Sequence, residues 1–315
     1  MKSIILTGAT SMLGIALTEK CIRENVRVLA VINPDSGRKN RVPDHELVKK
    51  AECPLDRIGE LPDLLEKAGN TGDPERSGYD AFYHLAWMAT SHNGRNDTAA
   101  QTDNIRYALD AVEAASKLGI KRFVGAGSQA EYGRTDAPLA GDTPAFPETP
   151  YGAAKLAAGQ MTRILCAQLG IVHIWTRILS AYGPNDGKNT LISSLIRALL
   201  DKEEFGTTAG EQIWDYIYCD DVANALFLLG DKGTDGKIYP IGSGSARPLK
   251  AFIEEAKELI DPGAEIGYGK IPYGEKQVMH LQADITELTK DTGFRPEISF
   301  EEGIRRTIRW MGDNR

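Results

Sequence analysis

Short apolar runs alternate with longer amphipathic ones along most of this 315-residue chain, and few architectures accommodate that rhythm. Residues 3–7, 26–32, 81–85, 122–126, 172–178 and 213–218 have the length of strands, and most are apolar enough to be covered on both faces. Between the first two, residues 12–24 predict a helix with Leu13, Leu17 and Cys21 along one stripe. The segments Ser116-Lys117-Leu118-Gly119-Ile120 and Ala167-Gln168-Leu169-Gly170-Ile171 echo each other: a helix stops at a glycine and a β-branched strand follows at once. Glycine takes the left-handed C-cap conformation without a Cβ penalty, so such a turn is tight. Strand, helix and strand in succession give a parallel sheet with right-handed crossovers, hence a doubly wound α/β sheet or an eight-fold barrel. After about residue 180 the rhythm weakens, and helices near 191–200, 249–260 and 300–310 predict a smaller α+β lobe stitched from separate segments. The expected division is 1–178 with 213–240 for the sheet lobe, and 179–212 with 241–315 for the smaller one.

The first turn selects the doubly wound sheet. Thr7-Gly8-Ala9-Thr10-Ser11-Met12-Leu13-Gly14 follows a strand and opens a helix. Gly8 permits the tight turn and Gly14 close helix–sheet packing, while the backbone around Thr10, Ser11, Met12 and Leu13 offers N–H groups to an anion such as a pyrophosphate. The second strand ends at Asn33-Pro34-Asp35-Ser36-Gly37-Arg38. A carboxylate at that tip would bond the ribose hydroxyls of NAD; Asn33, with Ser36, Arg38 and Arg41 beyond it, suits a 2′-phosphate. NADP(H) is therefore favoured, and Asp35 keeps NAD(H) open.

Tyr151-Gly152-Ala153-Ala154-Lys155 begins an amphipathic helix, and i,i+4 spacing sets phenol and ammonium one turn apart on one face. A nearby ammonium favours the phenolate and is expected to bring the phenol pKa down toward the working range of an acid–base catalyst. Gly127-Ser128-Gln129-Ala130-Glu131-Tyr132-Gly133 follows the strand 122–126, whose end faces the ligand crevice of such a sheet. Ser128 is placed to bond a substrate carbonyl or hydroxyl while Tyr151 moves a proton.

These segments resemble the extended, nucleotide-sugar-modifying branch of the short-chain dehydrogenases/reductases, the NAD(P)-dependent epimerase/dehydratase family. The turn is similar to that family's TGxxGxxG, with Ser11 for the middle glycine, and Ser128 sits four before Tyr132 as in SSxxxYG. A Ser11 hydroxyl could itself bond a phosphate. The resemblance implies that His84-Leu85-Ala86 borders the cofactor, that Asn104 steadies the active-site backbone, and that Arg177 with Tyr182-Gly183-Pro184 forms the RxxNxYGP segment, with Ser180 for its Asn. Asp215 to Val222 resembles RDFIYVDDV, with Trp214 for its arginine, a diphosphate ligand in many relatives. Substrate contacts are then expected from Trp87, His92, Arg95, Gln129, Ser180, Lys188, Trp214 and Lys276. The family's 4,6-dehydratases carry an Asp-Glu pair where this chain has Gln129 and Ala130, and Glu131 lies one place off, on the other face of a strand.

The resemblance implies a Rossmann dinucleotide-binding domain, a nucleotide-diphospho-sugar in the cleft, and a homodimer through helices near 104–118 and 151–169. It is nearest to the CDP-abequose-type 4-ketoreductases, so reduction of a 4-keto sugar is expected. A 4-epimerase with tightly bound NAD is the alternative, and a non-catalytic dinucleotide sensor the second.

Composition narrows the partners. A net charge of −7 argues against nucleic acid. No apolar run approaches the roughly 18 residues of a membrane helix, and the apolar start reaches Thr7-Gly8 too soon for a signal peptide, so a cytoplasmic protein is expected. Cys21, Cys53, Cys166 and Cys219 are far apart and the five histidines lack ligand spacing, which predicts reduced thiols and no metal site.

Overall fold

The computed structural model describes residues 1–67, 78–91 and 93–313. In chain order the first part runs β1 (Ser3–Thr7), α1 (Met12–Arg23), β2 (Arg27–Ile32), β3 (Val48–Glu52), α2 (Leu61–Lys67), β4 (Ala81–His84), α3 (Thr98–Lys117), β5 (Arg122–Ser128), α4 (Pro150–Leu169) and β6 (Val172–Ile178). It continues with β7 (Ser180–Tyr182), α5 (Leu191–Asp201), β8 (Phe205–Gly206), β9 (Ile213–Trp214), β10 (Tyr216–Tyr218) and α6 (Cys219–Lys232). The last part is β11 (Ile238–Ile241), β12 (Arg247–Pro248), α7 (Leu249–Ile260), β13 (Ile266–Gly267), α8 (Thr286–Thr292) and α9 (Phe300–Asp313).

Seven parallel strands form one sheet in the order β11-β6-β5-β4-β1-β2-β3, a doubly wound Rossmann topology. Alternate residues of β1 feed the two faces: Ile4 and Leu6 join one core, Ile5 the other. Helices α1 and α6 pack together, as do α3 and α4. The order reverses between β1 and β4, so their carboxyl ends open a crevice there.

Three strand assignments differ from the sequence expectation. Residues 213–218 are not a strand of the large sheet: β9 pairs β12 and β10 pairs β7, in two small sheets of their own. Asp215 breaks the run, because its fully buried carboxylate accepts bonds from the N–H groups of Ser243, Gly244 and Ala283 and from the Ser243 hydroxyl. The seventh strand is instead β11, whose Pro240 is tolerated because the strand is an edge. The other edge, β3, was not read from the sequence, since Lys49 and Lys50 mask its pattern while discouraging edge-to-edge association.

A stack of rings crosses the sheet: Phe82 on Phe123 at 5.8 Å, Phe123 on His173 at 6.2 Å, and His173 on Trp175 at 6.0 Å, with His84 on Phe123 at 6.1 Å. Burial depresses both histidines, His84 to about 3 and His173 to about 4. Their folded-state values lie below the unfolded one, so the stability they carry is present above about pH 6.5 and lost on acidification. Each should remove about 1.4 kcal/mol per pH unit on the way down. Urea midpoints measured at about pH 7 and about pH 4.5 test this. The drop between them should shrink in His173→Phe, which has no proton to refuse.

Cys21, Cys53, Cys166 and Cys219 are all free and buried. Among the described residues, no helix is long and apolar enough to cross a membrane.

Candidate active site

The glycine turn is shaped by backbone contacts. Gly8 has φ +75°, and a Cβ there would meet the Ala86 nitrogen at 2.7 Å. A Cβ on Gly14 would lie 2.2 Å from the Gly8 carbonyl oxygen, so α1 starts directly against the turn. Ser11 is the N-cap of α1: its hydroxyl accepts from the Gly14 N–H at 3.1 Å and donates to the Gly8 carbonyl at 2.8 Å. That hydroxyl is committed to the helix, whereas the sequence suggested it for a phosphate. The N–H groups of Met12 and Leu13 find no acceptor among the described residues.

A cavity of about 480 Å³ opens beside this turn. Gly8, Thr10, Ser11, Asn33, Ser36, Arg38, Leu85 and Ala86 all line it, whereas Asp35 and Arg41 do not. Asn33 caps its own loop, accepting from the Asp35 N–H, and Ser36 accepts from the Arg38 N–H. The glycine turn and the strand tip thus share one groove. Asn104 stays outside it: its side chain is buried and bonds the N–H and carbonyl of Met88, tying α3 to the loop after β4.

A second cavity of about 460 Å³ adjoins the first, sharing Leu85, Trp87 and Thr90 with it. Ser128, Tyr151 and Lys155 line it together with Leu13, Arg95, Gln129, Ser180 and Trp214. Three local structures deliver the first three. Ser128 ends β5 and caps a short turn. Tyr151 lies in the first turn of α4, which starts at the Thr149 cap and Pro150. Lys155 follows one turn later, buried.

The electrostatics differ from the simple pairing expected. The Lys155 ammonium donates to the Ala126 carbonyl at 2.5 Å and sits 3.7 Å from the Trp87 ring centre, but 6.0 Å from that of Tyr151. Burial lowers Lys155 to about 7, with Glu131 opposing that shift and Arg95 adding to it. The Tyr151 phenol is raised, not lowered, because burial strips the phenolate of water. The cation that offsets this is Arg95, whose guanidinium lies 4.9 Å over the Tyr151 ring, with the Ser128 hydroxyl acting in the same direction. Lysine spacing was legible; which cation reaches the phenol was not.

Other expected contacts redistribute. Trp87 stands edge-on to Tyr151 at 6.3 Å and donates to Gln101, so it walls the pair. Trp214 donates to the Ser180 hydroxyl at 2.8 Å, and the two substitutions for the expected Arg and Asn face each other. Lys188 and Lys276 are exposed and line neither cavity, and His92 lies outside the described residues. Asp186 and Tyr216 line the second cavity and were not anticipated. Glu131, set aside by strand geometry, leaves the strand: it sits in the turn after β5, buried, as the partner of Arg177. The pattern Ser128-Gln129-Ala130-Glu131 is a capping box, a signal present in the sequence.

Residues 4–242 match the NAD dependent epimerase/dehydratase family. The chain belongs to that family of enzymes. Among its relatives is a putative UDP-glucose 4-epimerase of Methanocaldococcus jannaschii, 29% identical over 99% of each chain. A trifunctional UDP-glucose 4,6-dehydratase/UDP-4-keto-6-deoxy-D-glucose 3,5-epimerase/UDP-4-keto-L-rhamnose-reductase of Arabidopsis thaliana is 26% identical over 99% of this chain. The chain spans about half of that relative's length, 47%. The crystal structure of a UDP-glucose 4-epimerase with UDP-glucose from Thermotoga maritima superposes with a TM-score of 0.87 at 23% identity, covering 99% of both chains. This epimerase/dehydratase family member therefore shares its fold with that enzyme from end to end.

Proposed function

We propose that the protein is an NAD(P)-dependent oxidoreductase that reduces the 4-keto group of a nucleotide-diphospho-sugar. The observation that carries this reading is the convergence of Ser128, Tyr151 and Lys155 on a cavity continuous with the glycine-turn groove. Substrate and dinucleotide would meet where the two cavities share Leu85, Trp87 and Thr90. In the proposed division into lobes, 1–178 with 213–240 and 179–212 with 241–315, β9 and β10 join the first set to the second through β12 and β7, and the sugar nucleotide would lie between the two. Trp87, Arg95, Gln129, Ser180 and Trp214 are read as its contacts. The exposed Met161 and Ile164 of α4 support a homodimer through α3 and α4.

The residues fit the cofactor. Gly8 and Gly14 let the backbone of the turn close against Ala86 and the start of α1, where a side chain would clash, and the Met12 and Leu13 N–H groups at the helix terminus favour a pyrophosphate. Asn33, Ser36 and Arg38 in the groove, with Asp35 outside it, support NADP(H) over NAD(H). When bound, the reduced cofactor supplies hydride to the carbonyl carbon. The chain's own part is the proton. Ser128 donates a hydrogen bond to the carbonyl oxygen, and Tyr151 gives that oxygen its phenolic proton as negative charge develops. The raised pKa of Tyr151 keeps the phenol protonated at neutral pH, the form that a reduction consumes. Lys155 and Arg95 then stabilise the phenolate left behind until solvent restores its proton. Dehydration is disfavoured, because Ala130 carries no group able to move a proton.

A second reading, 4-epimerisation with retained NAD, draws support from the epimerase relatives. One experiment separates them. Purified protein is denatured and the supernatant assayed for dinucleotide, and native protein is offered NADPH with a nucleotide-linked 4-keto-6-deoxy sugar. NADPH consumption with no stoichiometric NAD released is the expected result. Stoichiometric NAD and no net consumption would establish epimerisation instead. Binding of NADPH without turnover on any nucleotide-sugar would mark a sensor.

A further inference from the structure

Behind the Ser128–Tyr151–Lys155 group lies a buried ionic cluster that the reaction as described does not use. Glu131 is 0% exposed. Its Oε1 accepts from the Ser128 N–H at 2.8 Å and from the Trp175 indole N–H at 3.0 Å, and its Oε2 accepts from Arg177 Nε at 2.7 Å. Arg177, itself 3% exposed at its side chain, lies 4.2 Å over the Tyr132 ring. Gly127 makes room for the cluster, since a Cβ there would lie 2.2 Å from Glu131 Oε1. A lone carboxylate would be neutral in such a place. Burial pushes Glu131 up, while Arg177 and the two N–H donors pull it back, and these bonds only a carboxylate can accept together.

We propose that Glu131 is a positioning residue: its buried carboxylate pins the Ser128 end of β5 and supplies negative charge beside the Tyr151–Lys155 pair. This rests on the catalytic reading of that pair. Two consequences follow from one side chain. The bond to the Ser128 N–H fixes the serine, whose hydroxyl accepts from the Ala130 N–H at 3.2 Å and lines the same cavity as Tyr151. The charge acts through space and raises both Lys155 and Tyr151, against Arg95, which lowers both. Of the other titratable groups, His84 from β4 feels the Lys155 charge, Arg177 from β6 and Tyr132 after the turn pack on the far side at Glu131, and Asp186 and Tyr216 line the same cavity. The opposing pull of Glu131 is part of why the buried Lys155 ammonium titrates as high as about 7.

The test is a titration that needs no substrate. Lysine labelled with ¹³C at Cε reports each ammonium, and Lys155, assigned by its loss in Lys155→Met, titrates far below the exposed lysines. In Glu131→Gln its midpoint should fall by about one pH unit. In Glu131→Asp, which keeps the charge and shortens the reach, the midpoint should stay near that of the native protein while kcat drops. Should Glu131→Gln fail to fold around an unpaired Arg177, Glu131→Gln/Arg177→Met removes both charges, and a fall in the same direction is expected, smaller because the Arg177 cation goes with the carboxylate. An unchanged Lys155 midpoint in the folded Gln variant would overturn the proposal, since a purely structural carboxylate would cost activity without moving it. Absence of turnover by the native enzyme would instead sink the reductase reading, leaving the titration result standing.

Discussion

Tyr151→Phe should reduce turnover by roughly 10²–10⁴-fold, the usual contribution of a positioned proton donor. The substitution removes one oxygen and keeps the ring, so the edge-on contact with Trp87 at 6.3 Å and the Arg95 guanidinium at 4.9 Å remain. The fold and the dinucleotide groove, which Tyr151 does not line, should be untouched. Cofactor affinity measured by fluorescence titration should therefore match that of the native protein while steady-state kcat collapses. In barrier terms the loss is about 3–5 kcal/mol. The residual rate should also lose its dependence on the ionisation of this phenol. Unaltered turnover in this variant would mean that the proton comes from another group, and the mechanism given above would be wrong.

The second large effect is expected from Gly14→Ala. The added methyl would meet three backbone atoms, the Gly8 carbonyl oxygen at 2.2 Å, Ala9 Cα at 2.8 Å and the Gly8 carbonyl carbon at 2.9 Å. No side chain can rotate away to relieve this. Either α1 moves off the sheet or the turn at Gly8 opens, and both displace the Met12 and Leu13 N–H groups. Overpacking of this kind costs about 1–3 kcal/mol of stability. Cofactor affinity should fall by about tenfold or more, about 1.4 kcal/mol. Urea denaturation and fluorescence titration measure the two losses separately. Gly59→Ala, where the methyl would find only Asp110 Cβ at an ordinary 3.7 Å, is the control that should change little.

What was legible in advance follows from burial. Strands β1, β2, β4, β5 and β6 are covered on both faces or nearly so, which demands continuous apolar runs and makes them visible. The edges β3 and β11 are under weaker demands and carry lysines or a proline, so they were missed. Residues 213–218 misled for the opposite reason: they are aromatic and apolar, yet Asp215 in their middle is satisfied by groups from 243, 244 and 283. No local pattern announces acceptors' partners so far along the chain.

The same division runs through the site. The chain's own order of residues determined the doubly wound sheet, the glycine turn and the Tyr151–Lys155 helix, because each depends on neighbours within one or two turns. Only the tertiary structure decided how those groups are charged. Lys155 is depressed and Tyr151 raised by burial, the Tyr151 phenol feels Arg95, and Glu131 finds Arg177 across 46 positions of sequence. Spacing along a helix is a local property, whereas a pKa is set by every charge and every missing water around the group, and those are assembled only when distant segments pack.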